Sequence, residues 1–152
     1  MTRTKARELA IRLIYAQAAT GAEDVLADFL EPEHFETLAA EDELFAERPE
    51  GASLEYIEKL LCLCRERRAE LDSYIEKYAR GWRPERITRT AAAVLRCAIA
   101  EVLYIDDAPL AAAINEAVEL AKRYEEPETV AFINGVLGGF VRGEGLVPES
   151  EQ

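Results

Sequence analysis

Histidine is nearly absent. The 152-residue chain holds one, His34, beside one tryptophan, one methionine and three cysteines. A zinc site or a histidine-based catalytic triad therefore lacks its ingredients. Cys62 and Cys64 stand two residues apart, about 200° around a helix, so they point to different faces and cannot jointly hold a metal. With Cys97 they read as buried free thiols. No metal, cofactor or catalytic residue is expected. Long apolar runs are missing too: none approaches the roughly 18–20 residues that cross a bilayer. The start, Met1 to Glu8, carries charges throughout instead of a signal-peptide apolar stretch, so no membrane association and a cytoplasmic location are expected. Alternating strand patterns and fixed-period repeats are lacking as well.

Basic charge is scarce. Eighteen Lys and Arg against thirty Asp and Glu leave a net charge of −12. At first this argues against nucleic acid, whose binding leans on counterion release by cations. Its distribution is uneven. Residues 1–21 hold four bases (Arg3, Lys5, Arg7, Arg12) and one acid, whereas residues 22–58 hold thirteen acids and one base. Residues 65–96 hold nine bases and five acids. A basic N-terminus thus precedes an acidic stretch that reads as a solubilising surface.

Hydrophobic residues are plentiful, 49% against 32% charged, enough to offset the entropy of ordering a chain of one-domain length. Their spacing is helical. Ala6, Leu9, Ala10, Leu13 and Ile14 recur at three- and four-residue steps and predict a helix over 3–20 that Gly21 ends. Residues 22–47 predict two short helices that part near Pro32, with Leu44 and Phe45 on the second. Ser53 is expected to cap a long helix running to Lys77 or Tyr78. The stretch Ala79 to Pro84 then reads as a hinge. Beyond it, Ala91, Val94, Leu95, Ala98, Val102 and Ile105 predict one helix, and Ala113, Ile114, Ala117, Val118 and Ala121 the next. Asp106 and Asp107, with Pro109 in the first turn, are expected to support the start of that second helix by capping. Pro127 opens a last helix with Ile133, Val136, Leu137, Phe140 and Val141 on its core face. The expected class is all-α, about seven helices in one domain over 1–143, with halves near 1–80 and 81–143 and a frayed tail over 144–152.

Gly135, Gly138 and Gly139 follow no strand and precede no Gly-Lys-Ser/Thr, so they are expected to permit close helix packing and not to bind phosphate. On the first helix Lys5, Arg12 and Tyr15 share a flank away from the apolar stripe. Cations for phosphates beside a ring for an unpaired base would suit RNA, but the pattern alone fits a solvated flank somewhat better. Phe132 points roughly 110° off the centre of its helix's core face. That position suits a partner contact and a secondary packing cluster equally.

Several blocks carry a resemblance. Ala113-Ile114-Asn115-Glu116-Ala117-Val118-Glu119-Leu120-Ala121-Lys122, followed by Phe132-Ile133-Asn134-Gly135-Val136-Leu137, resembles the C-terminal signature of the NusB family of bacterial transcription antitermination factors. Ala6-Arg7-Glu8-Leu9-Ala10 with Leu13-Ile14-Tyr15, and Val94-Leu95-Arg96 with Ala98 and Glu101 ahead of Asp107-Ala108-Pro109, match in the same order. The resemblance implies an all-α fold of two helical subdomains and a non-enzymatic role. It further implies binding of single-stranded boxA RNA from ribosomal RNA leader transcripts, together with the ribosomal protein NusE. Other Nus factors and RNA polymerase would complete the assembly.

Carried onto this chain, the resemblance places Arg3, Lys5, Arg7, Tyr15 and Phe132 at RNA, with Glu128 aligned beside Phe132 at a polar base contact; the charge pattern of the first helix adds Arg12. Arg3-Thr4-Lys5 is a sparser basic cluster than the family often has, Ala131 stands where many relatives carry a base, and Glu128 replaces an aspartate. Ala91-Ala92 replace an acid–base pair near the NusE region, which leaves Tyr78 and Arg89 as partner-docking candidates. Two rivals follow: a module of a ribosomal RNA cytosine methyltransferase, for which a Gly-rich strand-turn-helix is missing, and a protein–protein adaptor that has lost RNA contact.

Overall fold

The computed structural model describes residues 1–21, 25–43, 47–81 and 84–146. Eight α-helices and one short 3₁₀ turn, and no strands, occur among the described residues. They fall into two compact units, Met1–Arg65 and Glu66–Gln152. The expected hinge at 79–84 lies within the second unit. Trp82 and Arg83 in that stretch, Leu44 and Phe45 of the second short helix, and tail residues 147–152 lie outside the described residues.

The first unit opens with α1 (Arg3–Thr20), the span the periodicity predicts. The Thr2 hydroxyl accepts from the Lys5 amide at 3.1 Å, and Gly21 leaves the helix at φ 71°, a left-handed value that glycine adopts without a Cβ clash. A simple one-faced stripe does not describe α1, because every residue from Ala6 to Ile11 is buried, Arg7 and Glu8 included. Two short helices follow, α2 (Val25–Leu30) and α3 (Pro32–Glu41), parted at Pro32 as expected. Phe29 and Phe35 meet edge to face at 5.5 Å, an arrangement that suits the ring quadrupoles. The Arg48 guanidinium caps this pair, 5.3 Å from the Phe35 ring, and donates to the Leu30 carbonyl at 2.6 Å.

Helix α4 (Gly51–Glu66) buries Tyr56, Ile57, Leu60, Leu61 and Cys64. It starts two residues before Ser53, whose hydroxyl donates to the Met1 carbonyl at 3.3 Å and does not cap the helix. The predicted long helix is broken at Arg67, where the backbone turns to φ −108°, ψ 22° and α5 (Arg68–Tyr78) begins. Cys62 is exposed, against expectation, because it lies on the helix face opposed to buried Cys64. Cys97 is buried.

The second unit is built around α6 (Arg89–Tyr104), capped by the Thr88 hydroxyl at 3.0 Å from the Ala91 amide. Its small and branched residues are buried from Ala93 to Leu95 and from Cys97 to Ala100. Helices α5, α7 (Leu110–Tyr124) and α8 (Pro127–Gly143) all pack on α6. Asp106 and Asp107 are exposed in the turn ahead of α7, outside its first turn, and Pro109 holds the N-cap position, without a side-chain hydrogen bond. Pro127 does open α8, in its first turn, where a missing N–H costs nothing. The α8 core face is Ile133, Val136, Leu137 and Phe140, and Tyr74 of α5 packs edge to face on Phe140 at 5.1 Å.

Candidate nucleic-acid interface

In the first unit the candidates cluster on α1, but their side chains are committed to different degrees. Lys5 is exposed. The Arg3 guanidinium sits 4.1 Å from the centre of the Tyr56 ring, a cation–π contact that orients it. Arg12 is ion-paired with Asp42 at 2.9 Å and about one-third exposed. Tyr15 is 40% exposed, one of the few large hydrophobic side chains that stay accessible. Arg7 departs from the expectation: at 3% exposure its guanidinium lies inside the fold and presents no charge to a phosphate at the surface. No buried side-chain nitrogen or oxygen among the described residues lacks a hydrogen-bond partner, so Arg7 acts as an internal polar residue.

In the second unit one face of α8 and the end of α5 enclose an open groove of about 640 Å³. Glu128, Phe132, Gly135, Gly139 and Arg142 line it at successive four- and three-residue steps, with Tyr78 and Arg80 opposite. Three sequence candidates, Tyr78, Glu128 and Phe132, thus come together. Arg89 does not line this groove; it is exposed at the start of α6. Phe132 is only 5% exposed, so it forms part of the wall and presents no broad stacking face, which Tyr15 does.

Tyr78 is held in place by chemistry at the end of α8. Its hydroxyl donates to the Glu144 carboxylate, which Lys77 also meets at 2.9 Å. These contacts act on both sides. The Tyr78 hydrogen bond, then Lys77, hold the Glu144 carboxyl below its ordinary range, and the same carboxylate raises both Tyr78 and Lys77. A Cβ on Gly139 would stand 3.2 Å from the Tyr78 ring, and one on Gly143 would overlap its hydroxyl. Both glycines therefore allow the close packing expected of this glycine-rich helix, whereas Gly135 faces open space.

Two groove residues, Arg80 and Arg142, were not among the sequence candidates. Arg142 was legible, since it continues the helical stripe from Glu128 through Phe132 and Gly135. Arg80 comes from the turn after α5, and no periodicity marks it.

The NusB family model matches residues 4–142. The transcription antitermination protein NusB of Symbiobacterium thermophilum is 37% identical over 145 residues, spanning 94% of this chain and 91% of the relative. That of Acetivibrio thermocellus is 38% identical over 142 residues, spanning 93% and 90%. Among solved structures, a crystal structure of the antitermination factors NusB and NusE in complex with double-stranded RNA superposes with TM-score 0.70 at 24% identity, covering 93% of this chain and 96% of that one. The solution structure of NusB from Aquifex aeolicus gives TM-score 0.65 at 25% identity, covering 93% and 89%. With matched blocks running from α1 to the end of α8, the chain belongs to the NusB family.

Proposed function

We propose that this chain acts in transcription antitermination by binding the single-stranded boxA RNA of ribosomal RNA leader transcripts jointly with NusE, within an assembly of other Nus factors and RNA polymerase. Its work is assembly, not catalysis. The observation that carries the reading is the exposed flank of α1, where Lys5 and the 40% exposed Tyr15 sit on a basic segment of an otherwise acidic NusB-family chain. NusE and double-stranded RNA found with a protein of the same fold support the joint use of RNA and NusE, while the single strand rests on the exposed Tyr15 ring. Arg3, Lys5 and Arg12 contact phosphates, Arg12 by exchanging Asp42 for RNA, and Tyr15 stacks on an unpaired base. Glu128 and Phe132 meet bases at the groove of the second unit. With the Tyr78 hydroxyl held by Glu144, docking of NusE falls mainly on Arg89 and only secondarily on the Tyr78 ring.

The test is binding of a labelled boxA-like single strand and a scrambled control, with and without NusE, at two salt concentrations. Tighter, sequence-dependent binding with NusE present is expected. No discrimination in either condition would leave the second reading, a protein–protein adaptor. Burial of Arg7 and pairing of Arg12 with Asp42 favour that reading, since both subtract cations from α1.

A further inference from the structure

We propose that Arg80 and Arg142 bind the sugar–phosphate backbone of single-stranded RNA in the groove of the second unit. The inference rests on the RNA-binding reading above and names where its missing phosphate contacts come from. On α1, Arg7 is buried, Arg12 is paired and Arg3 lies on Tyr56, so Lys5 is the α1 cation most open to an incoming phosphate. Arg3 and Arg12 reach a phosphate only by giving up part of those contacts, so α1 alone gains little from counterion release.

The groove supplies what α1 lacks. Arg80 and Arg142 are both exposed and line it, and neither guanidinium makes an ion pair or hydrogen bond among the described residues. In a protein of net charge −12 that is unusual company for two guanidinium groups. Glu144, two residues after Arg142, is already satisfied by Tyr78 and Lys77. A Cβ on Gly138 would stand 3.2 Å from Arg142 Nη1, so the bare glycine lets this guanidinium fold back along α8. Gly135 faces open space in the groove, room for a backbone to lie close, whereas Gly139 is covered by the Tyr78 ring. A planar guanidinium donates two parallel hydrogen bonds to one phosphodiester, which a lysine cannot do. Glu128 in the first turn of α8 carries the opposite charge to Arg142 in its last turn, and so sets a polarity along this wall of the groove: phosphates toward Arg142, base edges with amino donors toward Glu128.

The experiment measures RNA affinity over a salt series for the wild-type chain, the Arg80→Ala/Arg142→Ala double variant and Lys59→Ala, an exposed cation of the first unit, each with and without NusE. The double variant is expected to flatten the slope of log affinity against log salt by about 1.4, roughly 0.7 per lost phosphate contact, and to weaken boxA and scrambled strands alike. Lys59→Ala is expected to behave as wild type. An Arg80→Lys/Arg142→Lys variant should restore most of the slope and less of the affinity, which a general loss of fold would not do. Wild-type slope and affinity in the double alanine variant, with RNA still bound, would overturn the proposal and leave the RNA reading standing. Loss of NusE binding with RNA binding intact would make the groove a protein site. Failure of the wild-type chain to bind RNA under every condition would overturn both.

Discussion

Tyr78 reaches the Glu144 carboxylate across the end of α8 because Gly143 has no side chain to block its ring. The turn that presents Glu144 is itself fixed by backbone bonds: its amide donates to the Phe140 carbonyl and that of Leu146 to Val141, both at 2.9 Å, with Gly145 left-handed at φ 69°. One wall of the groove is therefore set by a helix end.

Alanine substitutions along α8 should split in sign. Gly143→Ala forces Tyr78 off Glu144, and crowding of this kind costs about 1–3 kcal/mol. A methyl group on Gly135 would meet nothing within 4 Å, so Gly135→Ala should stabilise the helix by about 0.5–1 kcal/mol. Thermal unfolding checks both: a fall in Tm for the first and a rise of about 1–4 °C for the second. In a Tyr78→Ala background the Gly143→Ala penalty should vanish.

The Glu144 cluster also predicts how stability follows pH. Folded Glu144 has a pKa below its ordinary 4.5, so between the two values the unfolded chain binds more protons. Its contribution is present above pH 4.5 and is lost as pH falls through the lowered value. Tyr78 and Lys77 run the other way: both are raised, chiefly by Glu144, so their contribution is intact below their ordinary values of 10.0 and 10.5 and lost as pH climbs through the raised ones. Denaturant titrations of wild type and Glu144→Gln should differ near pH 7 and converge under acid. A constant gap down to pH 3 would contradict the assignment.

Spacing in the sequence made α1, α2, α3 and α8 legible, because Gly21, Pro32 and Pro127 punctuate hydrophobic periodicity where the helices begin or end. The break at Arg67 was not legible: no proline or glycine marks it, and the residues on either side keep a helical pattern. Burial of Arg7 was hidden for a related reason. A charged residue beside an apolar stripe reads as surface, and only tertiary packing encloses it with Glu8. The off-stripe position of Phe132 correctly marked a second face of α8, yet not that Tyr78 and Arg80 stand across from it, since the turn after α5 brings them there.

Arg96 joins α6 to α5 through a forked pair, Nε to Asp72 Oδ1 at 2.7 Å and Nη2 to Oδ2 at 3.2 Å, with Arg96 only 11% exposed. Charge-assisted bonds of this kind contribute about 1.5–3 kcal/mol, and the half-open Asp72 side puts this one at the lower end. Arg96→Ala is expected to lower Tm by about 3–6 °C. Arg96→Lys should recover only part of that, since an ammonium cannot meet both oxygens in one plane. A double cycle with Asp72→Asn isolates the pair from the weaker 3.8 Å approach of Arg68.

On α1 the roles of ring, surface charge and buried charge can be separated by three substitutions. Tyr15→Ala should weaken RNA binding by about 1–3 kcal/mol, a factor of roughly 5–150, without changing the salt slope, because a stacked ring releases no counterions. Tyr15→Phe should bind as wild type, since the ring and not the hydroxyl makes the contact. Lys5→Ala should do the reverse of Tyr15→Ala, with a modest loss of affinity and a slope flatter by about 0.7. Arg7→Ala should lower Tm before it touches RNA affinity, because its guanidinium is enclosed and its removal leaves buried polar partners unsatisfied. Normal Tm with a flattened salt slope in Arg7→Ala would instead mean that α1 opens to deliver this arginine to the RNA.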